Sequence, residues 1–138
     1  METNFANRAT TVFLVEDSGL VRERLQWMLN TVPGVRVIGA ADNATDAIAG
    51  ILGRQPDVAV FDLELMRGNG YEVLRKIKSQ LPRLVAIALT SFPNAASEQR
   101  CIAAGANHVL DEAADFERLP GIVTASSSNQ HSCVPINS

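Results

Sequence analysis

The amino-acid sequence predicts an α/β domain in which five parallel strands form a doubly wound sheet covered by helices on both faces. Five short apolar runs recur along the chain, and segments with the period of an amphipathic helix lie between them. Some runs are almost continuously apolar, which is typical of parallel strands buried on both faces. Strand–helix alternation repeated five times favours right-handed crossovers around one sheet. The runs are Val12–Val15, Val35–Ala40, Val58–Phe61, Leu84–Leu89 and His108–Leu110.

Four of the helices are delimited clearly in the sequence, and Gly105 is a natural residue to follow the fourth. The fifth is predicted to be short or to begin late, because Pro120 and Gly121 come soon after its candidate cap, Asp115. The first four are Ser18–Thr31, a segment from Ala44 to Leu52, a segment striped by Val73, Ile77 and Leu81 with Asn69 as its N-cap, and a segment from Asn94 to Ala104.

The 138 residues are expected to form one domain over residues 11–124, with an N-terminal extension (1–10) and a flexible polar tail (125–138). The first ten residues lack a signal-like apolar stretch, and no segment has the roughly 18 apolar residues of a membrane helix. A net charge of −3 without a basic stripe argues against a nucleic-acid surface. Cys101 and Cys133 form no motif, as expected in a reducing cytoplasm.

Acidic and hydroxyl side chains follow the predicted strands at their carboxyl ends, where open α/β sheets bind their ligands. Glu16 and Asp17 follow the first strand, Asp62 the third and Thr90 the fourth. We expect Glu16, Asp17 and Asp62 to converge within a few ångströms. Clustered carboxylates repel one another unless a cation lies among them, and oxygen-only ligation suits Mg²⁺. Asp62 beside Mg²⁺ can attack a phosphoryl group and hold it as an aspartyl phosphate, with the Thr90 hydroxyl bonding a phosphoryl oxygen.

Each acidic residue alone has a simpler interpretation as a helix cap or a solvated turn residue. Asp17 in particular precedes the first helix and is a candidate for its cap. The occurrence of all of these residues in order, each after a strand, is what favours a functional site.

Over about residues 10–124 the chain resembles bacterial response-regulator receiver domains of two-component signalling. The resemblance implies a flavodoxin-like (βα)5 fold with strand order 2-1-3-4-5. The segments that carry it are Phe13–Asp17, similar to the first strand and its acidic pair; Val58–Asp62, similar to the phospho-acceptor strand; Gly70, eight residues after that Asp; Leu84–Ser91, with its switch threonine; and Gly105-Ala106 before the last strand.

The resemblance also implies a role for each matching residue. Asp62 would accept a phosphoryl group from a histidine kinase or phosphotransfer protein. Glu16 and Asp17 would hold Mg²⁺ together with Asp62 and the Glu64 backbone carbonyl, and Thr90 would be the switch hydroxyl. Such a cytoplasmic protein turns over no external substrate and signals by contact with a downstream protein, since little chain follows residue 124. A homodimer is a further option, and neither nucleic acid nor membrane is an expected partner.

Two residues depart from the family pattern. Val109 stands where similar receivers carry an aromatic switch residue, and Glu112 stands where they carry a phosphate-contacting lysine. Either Glu112 points away from the site, or another cation such as Arg67 substitutes, or phosphorylation is impaired. The departures therefore support a second hypothesis, a phosphorylation-independent pseudo-receiver that acts as a binding module.

Two other classes fit the sequence less well. An aspartyl-phosphate hydrolase would carry its nucleophile on the first strand and a larger cap region. A dinucleotide-binding protein needs a phosphate-cradling loop after the first strand, whereas the loop here holds one glycine, Gly19, and two acidic residues.

Trp27, on the first helix, is expected to be partly buried.

Overall fold

The computed structural model describes residues 9–63, 70–91 and 93–132. Five parallel strands form one sheet in the order β2-β1-β3-β4-β5, which confirms the predicted fold class. The strands are β1 (Thr10–Val15), β2 (Val35–Ala41), β3 (Val58–Asp62), β4 (Val85–Thr90) and β5 (His108–Asp111). The helices are α1 (Gly19–Asn30), α2 (Ala44–Arg54), α3 (Gly70–Gln80), α4 (Ala95–Ala103) and α5 (Leu119–Ser132), with a 3₁₀ turn at Phe116–Arg118.

The hydrophobic core has two layers, one on each face of the sheet. Successive side chains of a strand point to opposite faces, so neighbouring residues of β1 belong to different layers. Leu14 packs in the layer that includes Leu29 of α1 and Leu119 of α5. Phe13 packs in the layer formed with α2, α3 and α4, where Cys101 is fully buried. The sheet is therefore covered on both sides, as its continuous apolar strands predict.

Side chains define the beginnings of two helices at the carboxyl ends of strands. Val21 N–H donates to Ser18 Oγ at 3.3 Å, so Ser18 rather than Asp17 is the N-cap of α1. The N-cap of α4, Asn94, forms a reciprocal capping box with Ser97. At the other end of α4, Gly105 has a φ of +114°, which agrees with its predicted role as the residue after the helix.

Side chains from two helices also cover part of the outer edge of β2. Its register against β1 shifts between Val12 and Phe13, which leaves Ile38 as the extra residue of a β-bulge. Val37 N–H donates to Asn30 Oδ1 at 2.9 Å, and the Arg54 guanidinium donates to Ile38 O. Asn30 and Arg54 are the last residues of α1 and α2, so each helix ends by binding this edge.

The C-terminal helix differs from the prediction. Residues from 125 were expected to be a flexible tail, whereas α5 continues to Ser132. Pro120 does not interrupt the helix because it lies in the first turn, where its missing N–H would have no intrahelical partner. Further along, Thr124 Oγ1 donates to Pro120 O at 3.0 Å and Ser126 Oγ donates to Ile122 O at 2.7 Å. These hydroxyl groups are satisfied within the helix, so the polar composition does not end it.

The expectation for Trp27 was wrong, since its side chain is 73% exposed. Leu25 and Leu29 occupy the buried face of α1, and Trp27 lies between them in sequence on the opposite side of the helix. Leu20, seven residues earlier, is exposed on the same side. None of the helices in the described part of the chain is long and apolar enough to cross a membrane.

Candidate functional site

Three carboxyl groups meet at the carboxyl ends of the strands. Glu16 directly follows β1, Asp62 is the last residue of β3 and Glu112 directly follows β5. One carboxylate oxygen from each lies within 4.8 Å of the other two, and we call these three residues the carboxylate cluster. The backbone of Glu112 is held beside the end of β4, because its N–H donates to Thr90 O at 2.9 Å and so continues the β4–β5 pairing by one residue.

Glu16 is the most constrained member of the cluster, with only 1% of its surface exposed. Ser18 N–H donates to Glu16 Oε2 at 3.1 Å, while the buried Oε1 accepts no hydrogen bond from a donor in the described residues. Burial, a hydrogen bond with the Asp62 carboxyl and repulsion from Asp62 and Glu112 raise the pKa of Glu16 to about 8, against the smaller lowering effect of the Ser18 bond. Without a cation, the raised pKa favours the protonated, uncharged form of the Glu16 carboxyl.

Thr90 lies one strand away from Asp62. The Cα of Asp62 is in register with Leu89 on β4, and Thr90 is the next residue, 2% exposed. Thr90 Oγ1 donates to the carbonyl of Ser91 at 3.3 Å. The hydroxyl is therefore at the end of the strand that neighbours the predicted nucleophile.

Arg22 fixes the end of β1 to the first turn of α1. Its Nη1 donates to Glu16 O at 2.8 Å, so the backbone that carries Glu16 is tied to the helix that follows it. No pattern in the sequence indicates this role for Arg22. A bond from a side chain to a backbone carbonyl six residues earlier leaves no recognisable motif, so only the folded backbone reveals it.

The structure brings together some of the predicted site residues and not others. Glu16 and Asp62 converge as expected, but Asp17 is exposed and is not a member of the carboxylate cluster. Adjacent residues at a strand end point in opposite directions, which explains why Glu16 is buried and Asp17 is not. Glu112 takes the third position in the cluster. Of the remaining predicted residues, Val109 is half-buried against the core, while Glu64 and Arg67 lie outside the described residues.

A cleft of about 480 Å³ opens beside the carboxylate cluster and gives it access to solvent. Glu112 belongs to both the cluster and the cleft wall. Across from it, the Arg24 guanidinium lies 4.7 Å from the centroid of the Phe116 ring. The lining residues are Val21, Arg24, Ser91, Asp111, Glu112, Ala113 and Phe116.

The chemistry of the cluster fits a hard divalent cation. All of its donors are carboxylate oxygens, the type of ligand that Mg²⁺ prefers. The buried Glu16 Oε1, with no hydrogen-bond donor in the described part of the chain, gains a partner when a cation binds. A cation also offsets the repulsion from Asp62 and Glu112, which adds to burial and to the Asp62 hydrogen bond in raising the pKa of Glu16.

A doubly wound sheet of this strand order, with its acidic site outside the carboxyl ends of the strands, defines a class of α/β ligand-binding domains. Residues 12–124 match the sequence profile of the response regulator receiver domain. This match covers most of the chain, and the protein therefore belongs to the receiver-domain family of two-component response regulators. The resemblance stated from the sequence is confirmed.

Solved structures agree with this assignment. The chain is similar to a LuxR-family two-component response regulator from Aurantimonas sp. SI85-9A1, with a TM-score of 0.81, 25% identity and coverage of 88% of this chain and 86% of that one. It also shares the fold of the response regulator domain of Thermotoga maritima CheB, with a TM-score of 0.75, 22% identity and coverage of 88% and 96%.

Curated relatives are longer than this chain. It is 38% identical over 96 residues to the DNA-binding transcriptional activator DevR/DosR of Mycobacterium tuberculosis, which covers 70% of this chain and 44% of the relative. It is 34% identical over 136 residues to protein-glutamate methylesterase/protein-glutamine glutaminase 1 of Pseudomonas savastanoi pv. phaseolicola, with coverage of 89% and 37%. The chain thus spans less than half the length of these two relatives.

Proposed function

We propose that the domain accepts a phosphoryl group on Asp62 from a phosphohistidine of a histidine kinase or phosphotransfer protein, in a reaction that requires Mg²⁺. The observation that carries the proposal is the position of Asp62, which is 1% exposed at the end of β3 within a cluster of carboxylates that fits a cation. Membership of the receiver family supports the same role.

In the proposed transfer, one Asp62 carboxylate oxygen attacks the phosphorus atom as the P–N bond to the donor imidazole breaks. The imidazole leaves with the bonding electron pair and takes up a proton. Bound Mg²⁺ would neutralise the carboxylates and the charge on the transferring phosphoryl group. Glu16, Asp17, Asp62 and the Glu64 backbone carbonyl are the proposed metal-binding groups, and the Thr90 hydroxyl is the proposed donor to a phosphoryl oxygen.

The proposed output is contact with a downstream protein in the cytoplasm. A receiver accepts a phosphoryl group on its own carboxylate, so turnover of an external substrate is not part of the proposal. The transcriptional activation and methylesterase activities named for the relatives belong to those longer proteins.

The direct test is incubation of the purified protein with Mg²⁺ and acetyl phosphate, followed by intact-mass measurement. We expect one phosphoryl group on the wild type, none without Mg²⁺ and none on Asp62→Asn, which keeps the side-chain volume but removes the nucleophile. Asp42→Asn is the matched control, because Asp42 is exposed just after β2 and should leave labelling unchanged. Labelling of Asp62→Asn would contradict the assignment.

One observation favours the second candidate, a pseudo-receiver that signals without phosphate. Glu112 lies in the carboxylate cluster, where its charge repels an incoming phosphoryl group. If the folded wild type binds Mg²⁺ but remains unlabelled by every phosphodonor, the binding-module hypothesis replaces the phosphoryl-acceptor one.

A further inference from the structure

Glu112 is the third member of the carboxylate cluster, beside Glu16 and Asp62. It is half-buried, its backbone is fixed to Thr90, and its carboxylate lies with those of Glu16 and Asp62. Three carboxylates in such proximity are a costly arrangement unless a cation binds among them. Proximity alone does not identify a ligand, but a buried oxygen and the distances between the carboxylates both point to a cation.

The buried oxygen is Glu16 Oε1. It accepts no hydrogen bond from a donor in the described residues, although the side chain is 1% exposed. A buried carboxylate oxygen without a donor carries a desolvation cost that a metal ion removes directly. Glu16 and Glu112 both belong to the carboxylate cluster. The oxygen that lacks a hydrogen-bond donor in the described residues and the carboxylate of Glu112 are therefore parts of one site.

The distances within the carboxylate cluster match the size of a divalent cation. Two oxygens bound to one ion are separated by no more than twice the metal–oxygen distance, which is about 4.2 Å for Mg²⁺ and about 4.8 Å for a larger oxygen-ligated ion such as Ca²⁺. The oxygens of Glu16, Asp62 and Glu112 all lie within 4.8 Å of one another. A separation of at most 4.8 Å is therefore compatible with one divalent ion among the three carboxylates.

Access to this position is through the cleft beside α1. Glu112 lines the cleft and belongs to the carboxylate cluster, so the cleft borders the cluster at this residue. Asp111, its neighbour, is engaged elsewhere: Asp111 Oδ1 accepts the backbone N–H groups of Ala113 and Ala114 at 2.9 and 3.0 Å. Glu112 is thus the acidic residue of this turn whose carboxylate lies in the carboxylate cluster.

We propose that Glu112 is a ligand of the divalent cation, so that this receiver binds Mg²⁺ through the carboxylates of Glu16, Asp62 and Glu112. The inference rests on the metal site of the proposed function and adds a ligand at the position where similar receivers carry a lysine. The cation neutralises Glu112 when it binds, and an additional negative ligand raises affinity for it.

The test is a titration of the full chain with Mg²⁺ alone, without a phosphodonor, followed by calorimetry and by amide chemical shifts. We expect Glu112→Gln to weaken Mg²⁺ binding by at least about tenfold and Glu112→Lys to weaken it further. Glu117→Gln is the matched control, because Glu117 is exposed five residues later and its loss makes the same change in net charge. That control should change affinity by less than about twofold.

Equal Mg²⁺ affinity in the wild type and Glu112→Gln would overturn the inference, as would equal weakening in Glu112→Gln and Glu117→Gln, which would indicate a general charge effect. Amide shifts of residues 110–113 on Mg²⁺ addition, absent in Glu112→Gln, would support direct ligation. Phosphoryl labelling of Asp62 is scored separately with acetyl phosphate. Failure of this inference therefore leaves the phosphoryl-acceptor function to be judged by its own measurement.

Discussion

Replacement of Glu112 by lysine should increase the amount of aspartyl phosphate that the domain holds. A carboxylate and a second negative group 4.8 Å apart, the limiting separation in the carboxylate cluster, repel each other by about 3.5 kcal/mol at an effective dielectric of 20. A lysine at the same distance converts this repulsion into an attraction of similar size. Solvent in the cleft and bound Mg²⁺ screen both effects, so most of this difference is lost.

Even a fraction of that energy is measurable. We expect the equilibrium yield of phosphorylated protein, or the coupling of phosphorylation to movement of Thr90, to rise at least about tenfold, which requires only about 1.4 kcal/mol. Glu112→Ala removes the repulsion without adding an attraction and should fall between the wild type and Glu112→Lys. The same Lys variant should bind Mg²⁺ more weakly, so the two measured effects have opposite signs.

The assay is labelling by acetyl phosphate with detection by intact mass, and the amide shift of Thr90 follows the switch. Each variant is measured at a Mg²⁺ concentration that saturates its own site, because otherwise weaker metal binding would hide the gain. Equal yields in the wild type, Glu112→Ala and Glu112→Lys would refute the reasoning. That result would mean that Glu112 is turned to solvent when the phosphoryl group is present.

Three further predictions concern stability. The pKa of Glu16 is about 8 in the metal-free folded protein against 4.5 for an ordinary Glu. Its contribution to the free energy of unfolding is therefore fully present below about pH 4.5 and is lost as the pH rises through 8, with an upper bound of about 5 kcal/mol that solvent screening reduces. Urea unfolding in EDTA should show that the free energy of unfolding declines as the pH rises, and added Mg²⁺ should reduce the decline at high pH. An equally steep decline in Glu16→Gln would show that titration of Glu16 is not its cause. Gly70→Ala should lower the free energy of unfolding by about 1–3 kcal/mol, because its Cβ would lie 2.8 Å from Leu63 O and 2.9 Å from Leu63 Cα; unchanged stability would mean that this backbone yields freely. Trp27→Ala should change the same quantity by less than about 0.5 kcal/mol, and a larger loss by denaturant unfolding would show that the exposed indole packs against another group.

The fold was predictable because its signals are local and repeated. Apolar runs such as Val58–Phe61 are followed by helical periodicity five times, and right-handed crossovers leave few arrangements for such a chain. Boundaries were predictable where a residue has a specific backbone role, as Gly105 does after α4. The end of α5 was not, because the hydroxyls of Thr124 and Ser126 satisfy helix carbonyls, and composition alone does not distinguish that use from a solvated tail.

The site was predictable in part for a related reason. The convergence of Glu16 and Asp62 follows from their places at the ends of adjacent parallel strands. Asp17 and Ser18 were harder to assign, since either can cap a helix, and the choice depends on which side chain reaches Val21 N–H. The inward position of Glu112 depends on a backbone bond across β4 and β5, a tertiary contact that no local pattern encodes.

The covered edge of β2 has a consequence for how copies of this domain meet one another. An uncovered edge strand is a template on which a second chain can add a strand. Here Asn30 occupies an outward N–H, Arg54 occupies the carbonyl of Ile38, and the bulge breaks the regular spacing that an incoming strand would need to match. Growth of the sheet into an intermolecular one is therefore disfavoured along this part of the edge, where a partner meets the side chains that end α1 and α2.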